Sequence, residues 1–563
     1  MINEVMSFAL ATDLPSFVLL VGQLFLVVAA VIFALSSLDD LFIDIYFFMR
    51  YLYKKIWITP VHGKFNLKVL SETPEEPLAL MLPAWKEAEV LDSAVTNLIA
   101  TLDYHNYHVF IGTYPNDLET QAVVDGLERK FPNVHKVVTA LPGPTCKADC
   151  LNAIINEIYL FEEQANLSFA GVIMQDAEDV VHPLSMKLFN YLLPRFDLIQ
   201  IPVISLERKW WDLTGGHYMD EFAEAHSKEM IVREHFAGVV PGAGVGTAYS
   251  RRALDVASGF GEIFSTHSLT EDYEFSFRLR DAGLKQVFAR VPVRRTHTGQ
   301  NGKQKTVTDY IATREFFPNR FWASVRQKTR WVIGITFQGW RSFGWRGDWR
   351  TKFLFWRDRK MVFFAHAIML GYVAIILMAS VHLYTYLFLD DYHMAPLLEP
   401  ENPLWLLLYF NFGVLVYRLI QRHIWCYTYY SWRAIPMVAP RFVWGAVINY
   451  LALCRALVIY TKHLITGQTI GWDKTSHDFP TESDLSVFKR RLGDLLMERD
   501  LVNGEQLSDA LKEQGRTGKK LGETMIGLSM LSEQDLQKAL RVQERIQARG
   551  DVMEGEAEGR KVA

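Results

Sequence analysis

From Phe17 to Leu35 the chain is almost unbroken in apolar residues and carries no charge, a length that predicts a first transmembrane helix. From about Leu67 to Arg295 the pattern changes to short apolar runs alternating with helical stretches. The runs are Leu78 to Leu82, His108 to Gly112, Lys136 to Val138, Val172 to Met174 and Leu198 to Val203. Strands alternating with helices predict a largely parallel, Rossmann-like α/β sheet in which each run leads into a candidate binding loop. Two more spans are predicted, Met361 to Leu389 and Leu404 to about Trp425. Pro436 to Leu464 has a span's length but carries Arg441, Asn449, Arg455 and Lys462, so it reads as an interfacial amphipathic helix with its arginines at the headgroups. Arg326 to Trp349, with Trp331, Trp340, Trp345 and Trp349 among basic residues, reads as helices lying on the membrane surface. Beyond Val487 the chain is charged and helical, and residues 491–514 are echoed by 520–543. Leu492-Gly493 maps onto Leu521-Gly522, Leu507 onto Leu536 and Gln514 onto Gln543, all at an offset of 29 residues, which predicts a small all-α domain of two tandem repeats. Asn503 and Ser532 stand three before Gln506 and Asp535, an N-cap spacing for the second helix of each copy.

Charge orients these elements. Residues 1–16 hold no Lys or Arg, whereas Arg50, Lys54 and Lys55 follow the first span, which predicts an outer N-terminus and a cytoplasmic domain after the span. The missing basic n-region argues against a cleaved signal peptide. The loop with Asp390, Asp391, Glu399 and Glu401 is predicted to face outward, while Arg357, Arg359, Lys360, Arg418 and Arg422 lie inside. At 563 residues, 50% hydrophobic, the chain predicts several units, soluble and membrane parts together. A net charge of -4 argues against nucleic acid as a partner, and the four cysteines lack Cys-x-x-Cys spacing and read as reduced. The expected division is a transmembrane and juxtamembrane segment (1–62), an α/β domain (63–310), interfacial helices (311–360), transmembrane and interfacial helices (361–486), a small all-α domain (487–547) and a polar tail (548–563).

Three stretches carry candidate chemistry. In "GVIMQDAEDVVHP" (171–183) an apolar strand ends in Asp176, Glu178 and Asp179. Ligands of open α/β sheets bind at that edge, and acids at i and i+2 can clamp a hard cation; a solvated turn is the bland alternative. In "SLTEDYEFSFRLRDAG" (268–283) Glu271 and Asp272 open an amphipathic helix. They read either as first-turn acids behind a Thr270 cap or as a general base, Asp272 being the candidate. In "RQKTRWVIGI" (326–335) Gln327, Arg330 and Trp331 share one helix face, suited to a sugar or to a membrane-surface anchor.

In this order the motifs resemble the processive family 2 glycosyltransferases, the group of the cellulose and hyaluronan synthases, over roughly residues 75–345. The resemblance implies an α/β GT-A domain inserted between transmembrane helices. It places Glu87 of "PAWKEAEV" near the nucleotide, with Asp117 of "GTYPNDLET" and Lys147 of "KADCLN" also in the donor site. Asp176 and Glu178 would hold Mg²⁺ or Mn²⁺ against a UDP-sugar, Asp272 beside Glu271 would deprotonate the acceptor, and Gln327, Arg330 and Trp331 would hold the growing glycan.

The tail resembles the MshE-N type domain, whose paired Arg-Leu-Gly motifs bind cyclic di-GMP. The match implies binding by Arg491, Leu492, Gly493, Leu496, Lys520, Leu521 and Gly522, although Asp500 and Ser529 stand where that family usually has Gly. A docking module without nucleotide is the alternative. Phrases such as "CKADCLN", "SLTEDYEFSFRL", "VRQKTRWVIGI" and "WDKTSHDFP" are similar to the NfrB-type bacterial inner-membrane glycosyltransferases. That similarity implies a surface polysaccharide, of N-acetylmannosamine or another N-acetylhexosamine, that serves as a phage receptor, an outer-membrane export partner and contact with membrane lipids, with monomer and homo-oligomer as the alternative states. The rival readings are an enzyme adding one sugar to a lipid carrier and a non-catalytic export scaffold.

Overall fold

A computed structural model describes residues 14–298, 304–388, 400–471 and 491–541, apart from 64 and 469, with 479–481, 485 and 543 besides. Asp390, Asp391, Glu399 and most of "WDKTSHDFP" lie outside the described residues. Two units emerge. One comprises Tyr53–Glu207, Arg233–Phe317 and Lys474–Ala563, the other Met1–Leu52, Arg208–Val232 and Pro318–Asp473. The expected α/β domain ends at 310, whereas 313–315 pair within the first unit and 208–232 cluster with the long apolar helices.

The first unit carries every described strand: β1 (Leu78–Pro83), β2 (Tyr107–Thr113), β3 (Val134–Val138), β4 (Gly171–Met174), β5 (Val180–Val181), β6 (Leu198–Gln200), β7 (Val203–Ser205), β8 (Thr247–Ser250), β9 (Gln286–Phe288), β10 (Pro292–Thr298), β11 (Gln304–Tyr310) and β12 (Thr313–Glu315). Seven form a Rossmann-like sheet in the order β3-β2-β1-β4-β8-β6-β9. It is parallel except for β8, which runs antiparallel to both β4 and β6. Leu80, Val109, Ile173 and Ile199 are fully buried in it, as expected of strands covered on both faces. The antiparallel register sets Met174 opposite Thr247, so the glycine-rich approach to β8 reaches the edge where β4 ends. A second sheet, β5-β12-β7, follows the acid turn, and β10 and β11 form a hairpin leading into β12.

The tail of this unit packs three described helices, Leu492–Glu498, Gly504–Thr517 and Leu521–Gly527, with a fourth stretch after Ser532 around Leu496, Leu507, Met525 and Leu536. Asp500 and Ser529 both take positive φ (56° and 54°), and the N–H groups of Leu501 and Met530 donate to the carbonyls of Leu496 and Met525. Asn503 accepts from the N–H of Gln506 (2.9 Å) and Ser532 from that of Asp535 (3.2 Å), as the N-cap spacing predicts. The helix Leu492–Glu498 contacts β10, and Gly504 lies under the Arg294 guanidinium.

The second unit is helical. Four helices are long and apolar enough to cross a membrane: Pro15–His62, Met361–Phe388, Leu404–Tyr429 and Trp432–Thr466. Asp39 and Asp40, on the first of these, pair with Arg357, Lys360 and Arg418. Arg441 departs from expectation. It is 1% exposed and forks onto Asp220 through Nε and Nη2 (2.8 Å each), so its guanidinium is neutralised inside the unit and not by headgroups. Asn449 likewise bonds inward, to Lys328 and Glu221.

Candidate active site

The acid turn sits just past β4. Asp176 faces Lys147, whose Nζ lies 2.5 Å from its Oδ1, and its side chain is 30% exposed. Glu178 and Asp179 are buried. Asp179 has a different job from its neighbours: its Oδ2 accepts the Asp176 N–H (2.8 Å) and locks the turn. Burial, then Glu315 and the neighbouring acids, push its carboxyl well above the usual range. The third acid thus shapes the turn that presents the first.

Lys147 begins the helix Lys147–Ala165 and connects three parts of the site. Besides Asp176, its Nζ donates to the Gly244 carbonyl (3.1 Å), and Glu271 and Asp272 act on its charge. Burial opposes that charge, but Asp176 and then Glu271 hold it above the ordinary lysine range. One turn on, Asn152 exchanges two hydrogen bonds with the backbone of Phe264, fixing the approach to Glu271 and Asp272. Burial pushes Asp272 up to about 6 against the pull of Lys147, and burial with Asp272 pushes Glu271 up to about 7.

Sequence reasoning missed the loop 239–246, "VVPGAGVG". Gly244 takes φ +75°, and a Cβ there would stand 3.1 Å from Asp272 Oδ2 and 3.4 Å from Lys147 Nζ. Only glycine lets backbone come so close to the Asp272 carboxylate in this conformation. Two fully buried glutamines fasten the loop: Gln175 Oε1 accepts the Gly246 N–H (3.0 Å), and Gln200 accepts from Ala243 and donates to Val245 and Gly246. Ser276 ties the loop to the helix Glu271–Asp281, accepting from the Gly242 N–H (2.8 Å) and donating to the Asp272 carbonyl (2.7 Å). The alternation of Gly242, Gly244 and Gly246 was the available signal.

At the β1 and β2 ends, Asp117 is buried and its carboxylate accepts the N–H groups of Lys86 (2.6 Å) and Thr120 (3.4 Å). It therefore caps the helix Leu118–Lys130 and holds Lys86 at φ +57°, while the Glu87 N–H donates to Thr120 Oγ1 (3.1 Å). Among the described residues no cluster of three or more His, Cys, Asp or Glu is arranged to hold a metal ion.

Gln327, Arg330 and Trp331 lie in the other unit, on the helix Phe321–Trp331, which continues with π-type winding from Val332 to Gln338. Gln327 is buried and its Oε1 has no hydrogen-bond partner among the described residues. The Trp331 ring is half-buried, edge-on to Tyr218 (6.0 Å, 88°). In the tail, Arg491 and Lys520 are exposed at the starts of two short helices, and Leu492 and Leu521 pack against the module core. Leu496 is fully buried in that core, and Gly522 backs onto Leu536, where a Cβ would meet Cδ1 at 2.7 Å. Both pack within the module itself.

Residues 74–334 match the family model described as glycosyltransferase like family 2. The chain belongs to that family, as its relatives also indicate. It is 41% identical over 519 residues to bacteriophage adsorption protein B of Escherichia coli (strain K12), covering 91% of this chain and 69% of that protein. The same figures hold for bacteriophage N4 adsorption protein B of Escherichia coli O157:H7. Among solved structures it is similar to the mannosyltransferase PcManGT from Pyrobaculum calidifontis, in complex with GDP-Man and Mn²⁺ (13% identity, 79% of this chain and 100% of that one, TM-score 0.39). It is also similar to S. aureus TarS 1-349 (10% identity, 70% and 92%, TM-score 0.28).

Proposed function

We propose that this GT-A-type enzyme sits in the bacterial inner membrane and transfers a UDP-activated sugar, an N-acetylhexosamine such as N-acetylmannosamine, onto a growing surface glycan. The observation that carries this reading is the convergence of Lys147, Asp176, Gly244 and Asp272 at one sheet edge. Asp176 and Glu178 fit a divalent cation: both offer hard oxygens, Asp176 is partly open, and Mg²⁺ commonly takes one or two carboxylates plus substrate phosphates. Such an ion, when bound, neutralises charge on the departing diphosphate. Lys147 offers a second positive charge there, and Glu87 and Asp117 border the nucleotide. Asp272 Oδ2 takes the proton of the acceptor hydroxyl as that oxygen bonds to the anomeric carbon and the bond to the diphosphate breaks, with inversion. A carboxylate raised to about 6 is a stronger base than an ordinary one and still ionised at neutral pH. Gln327, Arg330 and Trp331 hold the acceptor end.

The tail is read as a tandem-repeat module that binds cyclic di-GMP through Arg491, Lys520 and the flanking Leu492, Gly493 and Leu521, and so regulates transfer. Support comes from the matched left-handed residues Asp500 and Ser529 and the matched carbonyl contacts, 29 residues apart. The tail also bears on topology. Because the helix Leu492–Glu498 contacts β10, tail and sheet share one side of the membrane, so an even number of crossings separates them. Of the long apolar helices between them, Val438–Thr466, which carries Arg441, Asn449, Arg455 and Lys462, is read as the interfacial helix that does not cross.

The test is nucleoside diphosphate release by the full-length detergent-purified protein from a panel of UDP-sugars with Mg²⁺ or Mn²⁺, with and without cyclic di-GMP. Turnover of one sugar that changes with cyclic di-GMP is expected. Silence across the panel despite confirmed cyclic di-GMP binding would favour a scaffold.

A further inference from the structure

Between Gln327 and Arg330 stands Lys328, a residue the acceptor reading does not use. It is only 5% exposed, and its ammonium meets Glu221 Oε2 (2.5 Å) and Asn449 Oδ1 (2.8 Å). Asn449 Nδ2 in turn donates to Glu221 Oε1 (3.2 Å), closing a ring of three side chains from three helices, Leu213–Glu224, Phe321–Trp331 and Val438–Thr466. One turn earlier Ser324 donates to the Tyr218 hydroxyl (2.9 Å), and the Tyr218 ring lies under the Lys328 ammonium (5.1 Å) and edge-on to Trp331. Ser324, Lys328 and Trp331 therefore share the face turned to the helix Leu213–Glu224, as positions four and three apart must.

We propose that Lys328 is a positioning residue: its ring with Glu221 and Asn449 sets the rotation of the helix about its axis, and so the direction in which Gln327, Arg330 and Trp331 point. Successive residues turn about 100° around a helix, so fixing residue 328 fixes 327 and 331. The buried Gln327 Oε1, without a partner among the described residues, is an acceptor kept desolvated, an arrangement suited to a hydroxyl brought by a ligand. Lysine suits the locking role because burying its ammonium beside Glu221 ties the helix by charge-assisted bonds that an apolar side chain cannot make.

The proposal rests on reading Gln327, Arg330 and Trp331 as the acceptor-holding set. The test uses the full-length protein in lipid nanodiscs, measuring sugar transferred to glycan against sugar released to water. Lys328→Met is expected to lower the transfer-to-hydrolysis ratio about tenfold or more at unchanged KM for the UDP-sugar, and Lys328→Arg to restore most of it. A double variant, Lys328→Met with Glu221→Gln, leaves no stranded charge and is expected to recover thermal stability but not transfer. A double variant with the wild-type ratio, beside a Trp331→Ala that is impaired, would overturn the role of Lys328 alone. A Trp331→Ala that transfers as well as wild type would remove the acceptor reading and the proposal with it.

Discussion

Gly244→Ala separates backbone strain from chemistry when paired with Gly238→Ala as its control. Both glycines take positive φ, +75° and +67°, so each alanine carries a similar left-handed penalty of about 1–2 kcal/mol. Their surroundings differ. At Gly238 nothing lies within 4 Å of a new methyl, whereas at Gly244 the methyl stands 3.1 Å from Asp272 Oδ2 and 3.4 Å from Lys147 Nζ. The first distance falls in the range, about 2.6–3.2 Å, in which a hydroxyl must sit to give its proton to the base. The methyl would occupy acceptor space and push the carboxylate away, and misplacement of reacting groups costs on the order of 10²-fold, or about 2.7 kcal/mol of barrier. Both variants are expected to melt earlier by similar amounts, and only Gly244→Ala to lose nucleoside diphosphate release, by about 100-fold in kcat/KM. Equal kcat/KM in the two variants would refute the placing of the base beside this loop.

Asp272→Asn is expected to keep UDP-sugar binding, measured calorimetrically, and to abolish transfer. In the wild type, kcat/KM is expected to fall as pH drops through about 6, where Asp272 takes up a proton. The same raised carboxylates bind more protons folded than unfolded from about pH 4 upward, so their contribution to stability declines with rising pH through about 6 to 7; Asp272→Asn should flatten that slope in thermal melts. Asp220→Asn strands the buried Arg441 and is expected to cost about 3–5 kcal/mol, read as a large drop in melting temperature, with Arg441→Met alongside Asp220→Asn recovering much of it. Asp500→Gly with Ser529→Gly relieves two left-handed residues and is expected to stabilise the tail against limited proteolysis by up to about 1 kcal/mol each.

The strands legible in the sequence were those with apolar runs, β1 to β4 and β6 with β7. β8 was not, because Thr247-Ala-Tyr-Ser offers no such run, although all four residues are buried. Its antiparallel course matters, since it brings Gly244 to the carboxyl edge. Asp176, Glu178 and Asp272 could be picked out by their places at a strand end and a helix start. Which acid does what depended on contacts between residues distant in sequence, and no local pattern distinguishes Asp179, which locks a turn, from Asp176, which faces Lys147. The same holds for Arg441: its charge in an apolar helix reads as interfacial until Asp220, more than two hundred positions away, is seen to neutralise it.

The hairpin gripped by the tail runs through Ile311 and Ala312 straight into β12, where Thr313 bonds Gln175, the residue that fastens Gly246. Two residues of extended chain span only about 7 Å. Side chains alternate along a strand, so a sliding β12 cannot turn Thr313 by degrees: a shift of one residue points it to the opposite face. Any message passed from the tail by this route would therefore arrive in whole steps, with the loop beside the base either fastened or released, more like a latch than a dial.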